Sequence, residues 1–157
     1  MHLKTILLFL LLFIAKQKVP KEFYAKVIGV KDGDTIEVLY KRKPLIIRLA
    51  HIDCPEKKQA FGNKAKQFVA TKIFGKNVRI VNKGKWHWNR LIAEVYYNKV
   101  ENINETLVEK GLAMHFKKYS KSKRYHNLEQ VAKKQKIGIW SQPNSITPWQ
   151  YRKSNYP

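Results

Sequence analysis

With 157 residues the chain makes one domain, large enough to bury a core without covalent help, and its single cysteine, Cys54, excludes an intramolecular disulfide. Thirty-two Lys and Arg against eleven Asp and Glu leave a net charge of +21, far beyond what solubility requires. Such a field attracts polyanions, nucleic acid first and an anionic membrane surface or wall polymer second.

Residues 1–15 place His2 and Lys4 ahead of an apolar run from Ile6 to Ala15, closed by Lys16. The run falls short of the about 20 residues that span a bilayer, so it is expected to be a signal peptide. An uncleaved N-terminal anchor is the alternative, because Phe13 stands where a cleavage site wants a small residue. Either makes the protein secreted or otherwise extracytoplasmic, and an anchor would associate it with the membrane. Residues 16–22 read as a basic linker, 23–141 as the folded domain and 142–157 as a tail.

Within the domain, Tyr24 to Val30 alternates with period two, and two further runs, Ile36 to Tyr40 and Leu45 to Ala50, flank a Lys41-Arg42-Lys43-Pro44 turn. Three strands therefore come first. A helix over 61–74 carries Ala65, Phe68, Val69, Lys72 and Ile73 on one face and stops at Gly75. Val78 to Val81 and Leu91 to Tyr97 are strands four and five, separated by Asn82-Lys83-Gly84-Lys85 and the segment Trp86-His87-Trp88-Asn89. Asn102 with Glu105 opens a second helix that ends at Gly111. A third runs over 122–136 with Tyr125, Leu128, Val131 and Ala132 inward. The tail, with Pro143, Pro148 and Pro157, is expected to be irregular. Five strands and three helices in this order predict an α+β fold, a five-stranded Greek-key barrel of the OB type.

All three aspartates fall between residues 32 and 53. A turn centred near Arg42 and Lys43 sets Thr35 opposite Ala50, so Asp34 converges with the loop Asp53-Cys54-Pro55-Glu56. Taken separately, Asp32-Gly33-Asp34 is a turn and the second motif a loop before a helix. Together they are carboxylates that repel unless a cation joins them, and hard oxygens without His or Cys partners select calcium or magnesium over zinc. Asp34 and Asp53 are the expected metal ligands. Arg48 lies in an apolar strand on the face opposite Ile47 and Leu49, where a cation needs an anionic partner: a phosphate, or Glu37 as a structural ion pair. Arg90 opens the fifth strand, either as a second phosphate donor or as a solvated side chain.

Asp32-Gly33-Asp34-Thr35, then Arg48-Leu49-Ala50-His51-Ile52-Asp53-Cys54-Pro55-Glu56, Arg90, Gly111-Leu112-Ala113 and Lys118-Tyr119-Ser120 resemble the staphylococcal (thermo)nuclease-like family. The match runs from about residue 24 to Trp140, and Pro148-Trp149-Gln150-Tyr151-Arg152 resembles the tail of many bacterial members. The resemblance implies a calcium-dependent phosphodiesterase that cuts DNA and RNA to 3′-phosphate and 5′-hydroxyl ends with little sequence preference. It implies that Asp34, Asp53 and the backbone carbonyl of Cys54 ligate calcium. Glu56 would orient or deprotonate the attacking water, and Arg48 and Arg90 would bind the scissile phosphate.

The chain departs from the family in places. Cys54 stands for a threonine, which a carbonyl ligand tolerates. Trp86 replaces an acid, Trp88 replaces a tyrosine and can itself stack on a base, and Asn89 replaces a glycine whose left-handed conformation it can adopt. Of two tyrosines near the nucleotide, Tyr119 is kept and Lys117 replaces the other. His51, His87, His115 and His126 lack zinc-ligand spacing. The expected partner is nucleic acid, single-stranded by preference, bound by a monomer with no protein partner implied. A non-catalytic OB-fold nucleic-acid binder of the cell envelope is the main alternative. An anchored binder of envelope polymers would leave the acidic cluster unexplained.

Overall fold

The computed structural model describes residues 19–155, so the leader expected over 1–15 lies outside the described residues. Strands β1 (Glu22–Asp32), β2 (Thr35–Tyr40) and β3 (Lys43–Leu49) form an antiparallel meander. There follow β4 (Ile52–Asp53), α1 (Gly62–Ile73), β5 (Asn77–His87), β6 (Arg90–Tyr97), β7 (Glu101–Asn102), α2 (Ile103–Glu109), β8 (Met114–His115), α3 (Lys123–Lys134) and α4 (Pro148–Asn155). A single 3-10 turn, Gly138–Ser141, comes before α4. β1 also pairs with β5, β5 with β6, and β6 runs parallel to β3, which closes five strands into a barrel. Closure removes the free edges that an open sheet would expose.

Alternation along each strand fills the barrel. Val27, Ile36, Val38, Ile47, Leu49, Ile80, Leu91, Ala93 and Val95 point inward and are essentially inaccessible. β1 bends through register shifts at Val27/Gly29 and Val30/Asp32, which let one long strand serve two neighbours. Ala65, Val69 and Ile73 of α1 and Ile103, Leu107 and Val108 of α2 extend the same core. Asn102 caps α2 by accepting from the main-chain N–H groups of Asn104 and Glu105. Asn104 is fully buried, accepts from Val95 N at 3.1 Å and donates to the carbonyls of Ala50 and Ala93, joining α2 to the end of the barrel. Asn104-Glu105-Thr106 matches a glycosylation sequence by letter, but its asparagine is fully buried and offers no accessible acceptor.

Four expectations change. Within the tail expected to be irregular, Pro148–Asn155 forms a fourth helix, α4. Lys41 and Arg42, both left-handed at φ 47° and 63°, make a two-residue hairpin turn, so the register shifts and Thr35 faces Arg48 rather than Ala50. Val131 is exposed at 53%, and Glu129, 2% exposed, takes the inward position on α3. It accepts from His115 N at 3.0 Å and pairs with Lys117 and Lys133, so its burial is compensated. Arg48 does not pair with Glu37, which faces Lys31.

On β6, Glu94 gathers Lys83, Tyr96, Tyr125 and His51 around one carboxylate. The hydrogen bond from His51, with Lys83 adding and burial opposing, holds its pKa down at about 2 against an ordinary 4.5. A depressed carboxyl pKa adds stability that is present above 4.5 and is lost as pH falls toward 2. Urea midpoints between pH 5 and pH 2 are therefore expected to fall more steeply for the native chain than for Glu94→Gln; parallel curves would remove Glu94 from the acid transition.

Candidate active site

The β1–β2 turn and the segment after β3 meet at one end of the barrel. Asp32 Oδ1 accepts from Asp34 N at 3.1 Å, which shapes the turn, and the Asp34 carbonyl accepts from Leu49 N at 2.8 Å. Gly33 permits a close approach, since a Cβ there would lie 2.7 Å from Ala65 Cβ and 2.9 Å from Cys54 Sγ. The register puts Arg48 across from Thr35, beside Asp34. Its guanidinium bridges both aspartates, with Nη1 3.0 Å from Asp34 Oδ2 and Nη2 2.9 Å from Asp53 Oδ1, and Nη1 also donates to the carbonyls of Leu49 and Ile52. Cys54 N donates to Asp34 Oδ2 at 2.7 Å.

The electrostatics follow from burial. Asp34 is 6% and Asp53 1% exposed. Burial raises the Asp34 carboxyl to about 7; Arg48 opposes this, and the neighbouring Asp32 and Asp53 add to it. Burial also works against the charge of Arg48, but the two aspartates outweigh it and its pKa is raised. The Cys54 thiol is pushed well above its ordinary range by burial, which suits a packing residue and not a nucleophile.

Glu56 sits in the loop before α1, where its N–H donates to Gln59 Oε1 and its carbonyl accepts from Gln59 N. The sequence reading missed its partner, Arg152. From α4, Arg152 Nη2 lies 2.6 Å from Asp53 Oδ2, and Nη1 lies 2.7 Å from Glu56 Oε1 and 3.3 Å from Asp53 Oδ1. A signal for α4 was present in the chain. Thr147-Pro148-Trp149-Gln150 is a capping box with proline at the first helical position, and Gln150 N donates to Thr147 Oγ1 while Gln150 Oε1 accepts from Thr147 N and Oγ1. The helix is held by Trp149 stacked on Phe116, ring centres 5.4 Å apart, and by Gln59 Nε2 donating to the Ile146 carbonyl.

The structure thus brings Asp34, Arg48, Asp53, Cys54 and Glu56 together. Arg90 makes a different set of contacts, to the His87 carbonyl and ring. It lies two residues before Ile92, the partner of Arg48 on the adjacent strand, so both arginines stand on the outer face of the wall. Trp88 and Asn89 form the β5–β6 turn with φ of 50° and 60°, and Trp88 is 85% exposed at its tip. Tyr119 is exposed and packs edge-on against Phe116. The Lys117 ammonium is 3.4 Å from Glu129.

Among the described residues no group of three or more His, Cys, Asp or Glu side chains is gathered as a metal cage. The donor set that fits a cation is smaller: two buried carboxylates already converging on one positive group, with main chain at Cys54 beside them. Such hard oxygens suit calcium or magnesium completed by water.

A closed OB-type barrel with a carboxylate–guanidinium centre at one end defines the class of protein. A family model described as staphylococcal nuclease homologue matches residues 46–142. An uncharacterized endonuclease of Haemophilus influenzae is 42% identical over 129 residues, covering 82% of this chain and 72% of the relative. A micrococcal nuclease of Shigella flexneri is 34% identical over 144 residues, 85% of this chain and 83% of the relative, and protein ParB of Escherichia coli is 32% identical over the same length. The chain belongs to the staphylococcal nuclease family.

Gly62 opens α1 against the loop that carries Glu56: a Cβ there would stand 2.0 Å from the Glu56 carbonyl oxygen. Gly62→Ala is expected to destabilise by ~1–3 kcal/mol, the usual cost of overpacking. Thermal melts report this at roughly 2–4 °C for each kcal/mol. A melt that coincides with wild type would mean that the loop yields freely.

Proposed function

We propose that this endonuclease hydrolyses DNA and RNA by a calcium-dependent route that leaves 3′-phosphate and 5′-hydroxyl ends. The observation that carries the reading is the Arg48 guanidinium spanning Asp34 and Asp53 beside Glu56, an acidic centre built into a chain of net charge +21. Asp34, Asp53 and the Cys54 carbonyl would hold the ion, which when bound supplies positive charge against a phosphate oxygen and the attacking water. Glu56 takes a proton from water as the new O–P bond forms. The P–O5′ bond breaks, and the leaving oxygen takes its proton from solvent. Arg48 and Arg90 donate to the phosphate oxygens as their charge grows. Trp88 and Tyr119 offer exposed rings to unpaired bases, and Lys117 adds charge, which favours single strands. The apolar leader supports an exported protein, free or anchored.

Glu56→Gln is expected to abolish most cleavage of single-stranded DNA while sparing binding and fold; turnover at the native rate would remove Glu56 from the reaction. Arg90 is the cleaner guanidinium to test, because removing Arg48 would strand the buried Asp34 and take one of the two guanidiniums from Asp53. Arg90→Ala should slow turnover by about 10²-fold or more, the scale of one transition-state donor. Chelation should stop cutting and calcium restore it, with end-labelled products carrying 3′-phosphate. Salt-sensitive binding without any cutting would instead identify a non-catalytic binder, with a log–log slope of about 0.7–0.9 for each phosphate neutralised.

A further inference from the structure

Arg152 is bound where the proposed chemistry needs free oxygens. Its fork takes Asp53 Oδ2 at 2.6 Å and Glu56 Oε1 at 2.7 Å, while Arg48 holds Asp53 Oδ1. Asp53 therefore has a guanidinium on each oxygen. A carboxylate shared between two guanidiniums has fewer lone pairs left to offer an ion, and its negative charge is already matched. Two of the groups assigned above to metal and water are engaged by a residue of the same chain.

The way α4 is held separates this contact from an ordinary structural pin. Only Pro148 of α4 is buried, and an eight-residue helix is marginal without tertiary support. The support is local: the Trp149–Phe116 stack and the Gln59–Ile146 hydrogen bond, the latter made by the same loop that carries Glu56. The Arg152 side chain is 38% exposed, against 1% for Asp53. An arginine with solvent at its back, on a helix with so little buried, can leave its carboxylates without unfolding the barrel, and the stack keeps it nearby when it does.

We infer that Arg152 is a tethered internal cation that competes with the divalent ion for Asp53 and Glu56, so that α4 sets the metal affinity of the centre. The inference rests on the metal-dependent reading above. When the ion binds, Asp53 Oδ2 and Glu56 Oε1 exchange one positive partner for another, and Arg152 swings out on α4. A competitor docked in about nine of ten molecules lowers apparent affinity about tenfold, because only the remaining fraction is competent to bind.

The test is calcium titration of the full chain by calorimetry, beside Arg152→Met, which keeps the length of the side chain and removes its charge. Arg152→Met is expected to bind calcium about tenfold more tightly, Arg152→Lys to stay near wild type, and Trp149→Ala, which loosens α4 with Arg152 intact, to bind more tightly than wild type. A melt of the metal-free Arg152→Met chain guards against misfolding, and calcium should raise its midpoint by more than it raises that of wild type. Unchanged or weaker binding by a folded Arg152→Met chain would overturn the competition while leaving the nuclease reading in place. Calcium binding by neither chain would overturn both.

Discussion

Two aspartates with almost no solvent access cannot sit side by side without positive charge between them, and Arg48 is the group that bridges the pair. The oxygens it touches lie on three segments: Asp34 in the β1–β2 turn, Leu49 at the end of β3, and Ile52 and Asp53 in β4 after the chain reverses. A lysine would not do this, since one ammonium lacks the planar fork that reaches two carboxylates at once. The end of the barrel is organised by this fork as much as by apolar packing.

Closure of the barrel makes the fork possible. β3 must pair with β2 on one side and β6 on the other, and the two pairings together set where Arg48 lies relative to Asp34 and Arg90. Asn104 reinforces the junction from α2 by donating to Ala50 and Ala93, the two residues whose main chains join β6 to the chain leaving β3. Gly33 and Gly62 then let the turn and the Glu56 loop come closer than any side chain would allow. The positions of the charged groups are thus inherited from backbone contacts formed by uncharged ones.

The overall field and the local field have opposite signs. The surface charge suits long-range attraction of a polyanion, which falls off with salt. The centre is acidic and lies beneath it, so a phosphate drawn in by lysines would be repelled at close range unless cations remain at the end of the barrel. Arg48 and Arg152 both stand there already, and a bound ion would add to or replace that charge. This division of labour explains how a chain so rich in lysine keeps all three of its aspartates within one region.

Much of the barrel was legible in the chain because period-two alternation and the 3.6-residue spacing of apolar positions are local consequences of backbone geometry. The convergence of Asp34 with Asp53 and Glu56 was legible for the same reason, since a hairpin must return to its starting end. The register was less so: two left-handed residues at Lys41 and Arg42 cannot be read from their identities, and they moved Arg48 opposite Thr35. Glu129 in place of Val131 is another such case, decided by Lys117 and the His115 N–H on another segment together with Lys133 one turn along the same helix. Arg152 is the largest difference. The sequence by itself determined the alternation of the barrel strands and the return of the hairpin, while the tail was expected to be irregular; its helix, and an ion pair between residues 53 and 152, depend on where a distant aromatic, Phe116, offers Trp149 a surface. Only the tertiary structure decided that, because contacts across the chain are set by packing and not by neighbours in sequence.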